Sequence, residues 1–253
     1  MQLQDKKGLV IGVANDKSIA AGCARAFAKQ GASLALTYLN EKARPHVAPI
    51  AEDVGAQALL PLNVEDDAQF DAVFDWIEDN WGGLDFILHS IAYCPLEDLQ
   101  SRIVNASRDG FRQAMDVSCY SLIGAARRAM PLMKDGGSVL TLTYYGAEKV
   151  VDSYNLMGPV KAALEGVTRY LAADLGSAGI RVNALSPGPI RTRAASAVPL
   201  FNDILDHTAQ RAPMQKLVST DDVGAYAAFL VSDGARHVTG NTVHVDAGYH
   251  IMS

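Results

Sequence analysis

Tyr154 and Lys161 stand seven residues apart in Tyr154-Asn155-Leu156-Met157-Gly158-Pro159-Val160-Lys161, where a helix should run. Seven helical steps of about 100° bring the lysine to within roughly 20° of the tyrosine's face, two turns further on. A phenol beside an ammonium is an assisted proton donor. The positive charge favours the phenolate and should lower the tyrosine pKa from its reference of about 10. Pro159 lies between the two, and a proline beyond the first turn of a helix costs about 3 kcal/mol. The helix is therefore expected to begin close to Tyr154. Two further phenols, Tyr144 and Tyr145, end the preceding apolar run, and either could face a cleft. Two common residues at one spacing recur by chance, so the motif gains weight only from the elements that must position it.

Those elements alternate along almost the whole chain. Short apolar runs at 9–13, 33–38, 58–62, 86–90, 138–143, 181–185 and 242–245 read as strands. Helical patterns fall near 18–30, 41–54, 66–80, 108–133, 155–175 and 220–232. Several strands are continuously apolar, as a parallel sheet buried on both faces requires. The expected fold is α/β: one Rossmann-type, doubly wound parallel sheet of about seven strands with helices on both faces. Residues 1–253 should form a single domain. The stretch 186–218, with Pro187, Pro189, Pro199 and Pro213, reads as a long irregular loop, and about 190–215 as a substrate lid.

The chain has 253 residues, is 49% hydrophobic and 20% charged, and carries a net charge of -6. That balance and the lack of a basic run argue against nucleic-acid binding. No apolar run is long enough for a membrane span, and the N-terminus lacks the pattern of a signal peptide. Cys23, Cys94 and Cys119 form no C-x-x-C pair, and the six histidines have no ligand spacing. Reduced thiols, no metal and a cytoplasmic location are expected. His89 and His244 read as hydrogen-bonded structural residues, and Trp76 and Trp81 as core.

The first strand runs into Gly12-Val13-Ala14-Asn15-Asp16-Lys17-Ser18-Ile19-Ala20-Ala21-Gly22. This is not G-x-G-x-x-G, yet Gly12 permits a tight turn and Ser18 can cap the helix or meet phosphate, with small residues allowing close approach. After the second strand, Tyr38-Leu39-Asn40-Glu41 offers an acid and no arginine at the strand end, which favours NADH over NADPH. Lys42 and Arg44 are expected on the helix that follows. Asn63-Val64 after the third strand could meet adenine.

Further motifs complete the series. His89-Ser90-Ile91-Ala92 follows the fourth strand, and Met115-Asp116-Val117-Ser118 lies in a helix. Ser186-Pro187-Gly188-Pro189-Ile190-Arg191-Thr192 follows the sixth strand, and Val245-Asp246-Ala247-Gly248-Tyr249 the last. Nearly end to end, the chain resembles the short-chain dehydrogenase/reductase superfamily. More specifically it is similar to the divergent bacterial branch, the NADH-dependent enoyl-acyl-carrier-protein reductases. His89-Ser90-Ile91-Ala92 stands where ordinary members carry Asn-Asn-Ala-Gly, and Ser118 where they carry a helix asparagine.

The resemblance implies hydride transfer from NADH to the β-carbon of a trans-2-enoyl thioester, in fatty-acid elongation. Tyr154 would donate to the thioester carbonyl, and Lys161 would hold the nicotinamide ribose and tune Tyr154. Tyr144, rather than Tyr145, would line the acyl pocket, with Met157 and Phe201 as apolar walls. Gly12, Ala14, Ser18 and Ile19 would meet the cofactor at the first turn, and Leu39, Asn63 and Val64 its adenosine. Ser90, Ile91 and Ala92 would meet its centre, and Ile190 and Thr192 its carboxamide and pyrophosphate. A homotetramer is implied as well.

The chain also departs from the family. Asn63 replaces the usual aspartate, and 197–210 carries Asp203 and Asp206 with no lysine or arginine, a surface that repels an acidic carrier protein. Arg191, Arg193, Arg211 and Lys216 flank it and could compensate, although Arg191 and Arg193 could equally be solvated charges. A coenzyme A thioester therefore stays open beside acyl carrier protein, as does an enoyl substrate outside core fatty-acid synthesis. Two other readings are a carbonyl or alcohol dehydrogenase using Thr141 in place of serine, and a catalytically silent nucleotide sensor.

Overall fold

A computed structural model describes residues 1–192, 195, 198–199 and 201–252; Arg193 and positions 197 and 200 of the expected acidic lid lie outside them. The strands are Lys7–Ile11 (β1), Ser33–Tyr38 (β2), Ala58–Pro61 (β3), Phe86–His89 (β4), Gly137–Leu142 (β5), Ile180–Pro187 (β6) and Thr242–Val245 (β7). They form one sheet of order β3-β2-β1-β4-β5-β6-β7, every pairing parallel. Successive side chains alternate between faces. Val10, Leu36, Leu88 and Leu140 enter one core, while Leu9, Ala35, Ile87 and Val139 enter the other. A sheet apolar on both faces needs helices on both, and each strand-to-strand crossover supplies one.

Ile19–Lys29 (α1) and Thr220–Val231 (α9) cover the first face; Asp67–Trp81 (α3), Ser121–Ala129 (α6) and Met157–Leu175 (α7) cover the second. Local chemistry sets the starts of several helices. Ser18 caps α1 by accepting from the Ala21 N–H, and Asp66 caps α3 by accepting from Ala68 and Gln69. Ser219 and Asp222 form a reciprocal capping box on α9. The two helices of the first face cross at glycines: a Cβ on Gly224 would sit 2.6 Å from the Gly22 carbonyl oxygen.

Three expectations need correction, and one element is added. The pattern at 108–133 is not one helix. It divides into Arg108–Met115 (α5), a π turn at Asp116–Tyr120, α6 and a short 3₁₀ turn at Met130–Leu132. The stretch 186–218 is not irregular throughout, because Phe201–Arg211 (α8) is helical and buries Leu205 and Thr208. Prolines at 187, 189, 199 and 213 surround the short i, i+4, i+7 pattern of Phe201, Leu205 and Thr208 that makes this helix. Leu96–Gln100 (α4) went unseen because it is a single turn. Lys42 lies in a turn, and Arg44 opens Arg44–Asp53 (α2). Trp76 and Trp81 pack edge to face, as expected of core residues.

Among the described residues, no helix is long and apolar enough to cross a membrane, and no group of three or more His, Cys, Asp or Glu could hold a metal ion. All three cysteines are free.

Candidate active site

The sheet reverses its winding between β1 and β4. In open α/β sheets, ligands bind outside the carboxyl ends of the strands near such a switch point. The sequence-derived residues gather along that edge: Gly12 and Ala14 follow β1, Leu39 β2, Asn63 and Val64 β3, Ser90, Ile91 and Ala92 β4, Tyr144 β5, and Ile190 and Thr192 β6.

Gly12 has φ +96°, and a Cβ there would lie 2.1 Å from the Ser90 carbonyl oxygen. Only glycine lets the turn after β1 close onto the turn after β4. The Ser18 hydroxyl donates to the Asn15 carbonyl at 2.7 Å, which fixes the turn before Ile19 opens α1. The first N–H groups of α1 have no intrahelical acceptor, so this helix end offers donors and positive potential to a pyrophosphate. Leu39 is 56% exposed at the same edge, an apolar surface that an adenine can cover. At the end of β2 the Tyr38 hydroxyl donates to Glu41 at 2.8 Å, and Arg44 lies 3.8 Å from the same carboxylate. This acidic strand end suits ribose hydroxyls more than a 2′-phosphate. The glycine cradle, the open helix end and the acid together fit a dinucleotide.

Tyr154 does not lie on α7. It precedes the helix by three residues, between Ser153 and Asn155, both with left-handed backbone (φ 65° and 43°). The Asn155 amide donates to the Leu99 carbonyl at 2.8 Å and holds this bend. Pro159 falls in the first turn of α7, where its missing N–H is harmless. The tyrosine and lysine are thus separated by a bend and one helical turn, not by two turns of helix.

The rings of Tyr144 and Tyr154 pack edge to face at 4.9 Å, whereas Tyr145 packs on Tyr249 at 5.6 Å. Of the two neighbouring phenols, Tyr144 is the one beside Tyr154. Lys161 is 4% exposed, and its Nζ donates to the Leu142 carbonyl at 2.7 Å. Burial lowers its pKa to about 8, with Cys119 and Glu165 opposing the fall. The expected depression of the Tyr154 pKa is not found. Burial, with the neighbouring Tyr144, pushes it above the ordinary tyrosine value, because a desolvated phenolate is disfavoured. Burial likewise raises Tyr144. At neutral pH both phenols are protonated donors.

Two buried polar networks frame this pair. Ser118 sits in the π turn; its Oγ accepts from the Tyr93 N–H at 2.8 Å and donates to the Tyr93 carbonyl at 2.9 Å. His89 bridges Thr141 Oγ1 at 3.0 Å and Ser121 Oγ at 2.8 Å, and burial lowers its pKa to about 3. It is therefore a neutral structural group, as expected. His244 differs: it stacks on His250 at 3.9 Å, and its Nε2 has no hydrogen-bond partner, with Glu148 at 3.4 Å outside bonding geometry.

Met157 is buried with Leu99, Ala114, Leu156 and Val160, and Tyr154 packs against this cluster. Phe201 opens α8, whose Asn202 accepts from Arg191 at 2.6 Å. His207 of α8 and Tyr145 both pack on Tyr249, so the C-terminal segment joins α8 to the tyrosine turn. Sequence reasoning missed Glu165, buried one turn beyond Lys161 and accepting from Thr143 Oγ1 at 2.7 Å. Its i, i+4 spacing from the lysine was the available signal.

A parallel sheet wound about a switch point, with two phenols and a buried lysine beside the cofactor edge, defines a dinucleotide-fold oxidoreductase. The comparisons narrow the class: the sequence model of the enoyl-(acyl carrier protein) reductase family matches residues 12–250, and the chain belongs to that family. It is 48% identical to enoyl-(acyl-carrier-protein) reductase (NADH) 1 of Rhizobium meliloti (strain 1021), over 99% of this chain and 92% of that one. The reductase of Anaplasma phagocytophilum, solved in complex with NAD, superposes with a TM-score of 0.96 at 48% identity, covering 99% of this chain and 96% of that one. The Bacillus cereus reductase, solved with NADP+ and indole naphthyridinone, gives 0.97 at 45% identity, covering 100% and 99%.

Proposed function

We propose that this chain reduces the 2,3 double bond of enoyl thioesters with NADH in fatty-acid elongation, Tyr154 acting on the thioester carbonyl. The observation that carries the assignment of residues is the packing of Tyr144 on Tyr154, with buried Lys161 bonded to Leu142 at the end of β5 two residues before Tyr144. Bound NADH supplies the hydride that goes to the β-carbon. Charge then develops on the thioester oxygen, and the protonated Tyr154 hydroxyl donates to it. A donor aimed at that charge stabilises the transition state more than the ground state. The raised phenol pKa keeps the proton in place until the oxygen becomes basic.

Lys161, charged below about pH 8, holds the ribose hydroxyls next to that phenol. Tyr144 orients the acyl chain, with Met157 and Phe201 as apolar walls. Gly12, Ala14, Ser18 and Ile19 hold the pyrophosphate end; Leu39, Asn63 and Val64 the adenosine; Ser90, Ile91 and Ala92 the middle; Ile190 and Thr192 the carboxamide side. The segment around α8 serves as the lid of a single-domain enzyme. Thr141 is unsuited to polarise a carbonyl, since its side chain is wholly buried against His89. Acyl-carrier-protein thioesters are the substrates, and coenzyme A thioesters are accepted as well, because Asp203 and Asp206 on α8 weaken the attraction of an acidic carrier.

Nicotinamide absorbance followed with trans-2-enoyl thioesters on either carrier, and with NADH or NADPH, tests the reading. Tyr154→Phe should lower kcat about 10²- to 10³-fold, the usual loss for one oxyanion donor. An unchanged kcat in that variant, or no turnover of any enoyl thioester, defeats it.

A further inference from the structure

The face that α8 turns inward is short, with Phe201, Leu205 and Thr208 at i, i+4 and i+7. Leu205 and Thr208 are buried. Among the described residues, however, Leu205 belongs to none of the three apolar clusters that hold the sheet and its helices. The helix needs another dock, and the C-terminal segment provides one. His207 packs edge to face on Tyr249 at 6.1 Å, and Tyr145 packs on the same ring at 5.6 Å. Burial and Tyr145 raise the Tyr249 pKa, while Thr208 and Arg211 oppose the rise, so the hydroxyl too lies close to α8. The Thr208 hydroxyl is buried there, outside hydrogen-bonding geometry.

Tyr249 stands on a braced turn. Asp246 is buried, and its carboxylate accepts from the Gly248 and His250 N–H groups at 2.9 and 2.7 Å. Just past α8, the Met214 N–H donates to the Ala247 carbonyl at 3.3 Å. Gly248, at φ +84°, lies so close to Pro213 that a Cβ would come within 3.0 Å of its ring. The chain thus meets this turn at the second half of α8 and again beyond its end.

We propose that Tyr249 is a positioning residue that sets acyl-chain specificity: its ring docks α8 on the turn after β5 and so fixes where Phe201 stands over the acyl chain. The inference rests on the enoyl-reductase reading and deepens it. Phe201 and Thr208 are seven residues apart, about 10 Å along the helix. The dock therefore holds one end of α8 while Phe201 forms the wall at the other. A short acyl chain ends before it reaches that wall, whereas a long one lies against it. Tyr249 governs the binding of long chains and leaves hydride transfer to the groups around Tyr154.

Tyr249→Leu removes two aromatic contacts and keeps an apolar side chain. With trans-2-dodecenoyl thioester on acyl carrier protein, its KM should rise about 5- to 100-fold, the worth of two aromatic pairs. With the trans-2-butenoyl thioester KM should stay near wild type, and kcat and the NADH Kd should change little. Tyr249→Phe should regain most of the loss. His207→Ala carries the same prediction from the lid side, at an exposed position where folding is not at stake. It should raise the same KM and add little in Tyr249→Leu, because both changes remove one contact. Trypsin should also cut within 191–216 faster in Tyr249→Leu than in wild type, with Tm nearly unchanged. Equal KM changes for both chain lengths, additive effects of the two substitutions, or cleavage at the wild-type rate would overturn the proposal. Wild-type protein inert to every enoyl thioester would instead sink the function reading, and the trypsin comparison would still judge the docking of α8.

Discussion

Replacing Ser118 by alanine removes two hydrogen bonds with one atom. The hydroxyl is 0% exposed and serves both the N–H and the carbonyl of Tyr93, at 2.8 and 2.9 Å. Leaving a buried donor or acceptor unmet costs about 1–3 kcal/mol each. Tyr93 is 45% exposed, so water can reach part of its backbone and the cost should be about 1–3 kcal/mol in total. For a chain of this length that corresponds to a fall in Tm of roughly 2–12 °C. The functional consequence follows from place: Tyr93 continues the segment Ser90-Ile91-Ala92, which is expected to lie against the cofactor. Loosening it should raise the NADH Kd more than it alters chain-length preference. Thermal unfolding with and without NADH, together with fluorescence titration of NADH, measures both effects. The ligand-induced rise in Tm should shrink in Ser118→Ala. Ser118→Asn, the superfamily's residue, should recover part of it if the side chain reaches Tyr93. A Tm and an NADH Kd both equal to wild type would refute the reasoning, because the π turn would then hold the segment without the serine.

Three other predictions follow from single groups. Gly12→Ala should abolish NADH binding and destabilise the fold, since its Cβ would overlap the Ser90 carbonyl at a φ of +96°; binding titration and thermal melts check this. The Lys161 pKa falls from 10.5 to about 8 on folding, so between those values the unfolded chain binds more protons and stability rises with pH. The stability difference between Lys161→Met and wild type should therefore vary between pH 8 and 10.5 by up to about 3 kcal/mol, and a constant difference in denaturant melts would contradict the assignment. The His89 pKa falls from 6.5 to about 3, so the unfolded chain takes up a proton that the native one refuses, and stability drops as pH falls through that window. His89→Gln should flatten this part of the acid-unfolding profile.

Much of the fold was legible because its cause is local. The strands at Ser33–Tyr38 and Thr242–Val245 have the bounds that the sequence pattern gives them, and the burial of successive residues in β2 follows from its nearly continuous apolar run. The caps at Ser18 and Asp66 are likewise written in adjacent residues. The order of motifs from Gly12 to Tyr249 was enough to mark the family, since spacing along the chain is a property of sequence alone. The helix at Phe201–Arg211 was equally local, but its apolar face is short and prolines surround it.

What only the tertiary structure decided depends on neighbours distant in sequence. The direction of the Tyr154 pKa was one such case: the sequence shows a lysine seven residues on but not the burial that raises the phenol. The aim of Lys161 at Leu142, of Ser118 at Tyr93, and of Tyr144 rather than Tyr145 at Tyr154 were others. Each joins segments from different strands and helices. Desolvation and hydrogen-bond geometry are set by the packed surroundings of an atom, and those surroundings come into being only when the sheet closes. Residue types and their periods thus determined the architecture and the inventory of the site, while packing decided which proton sits on which atom.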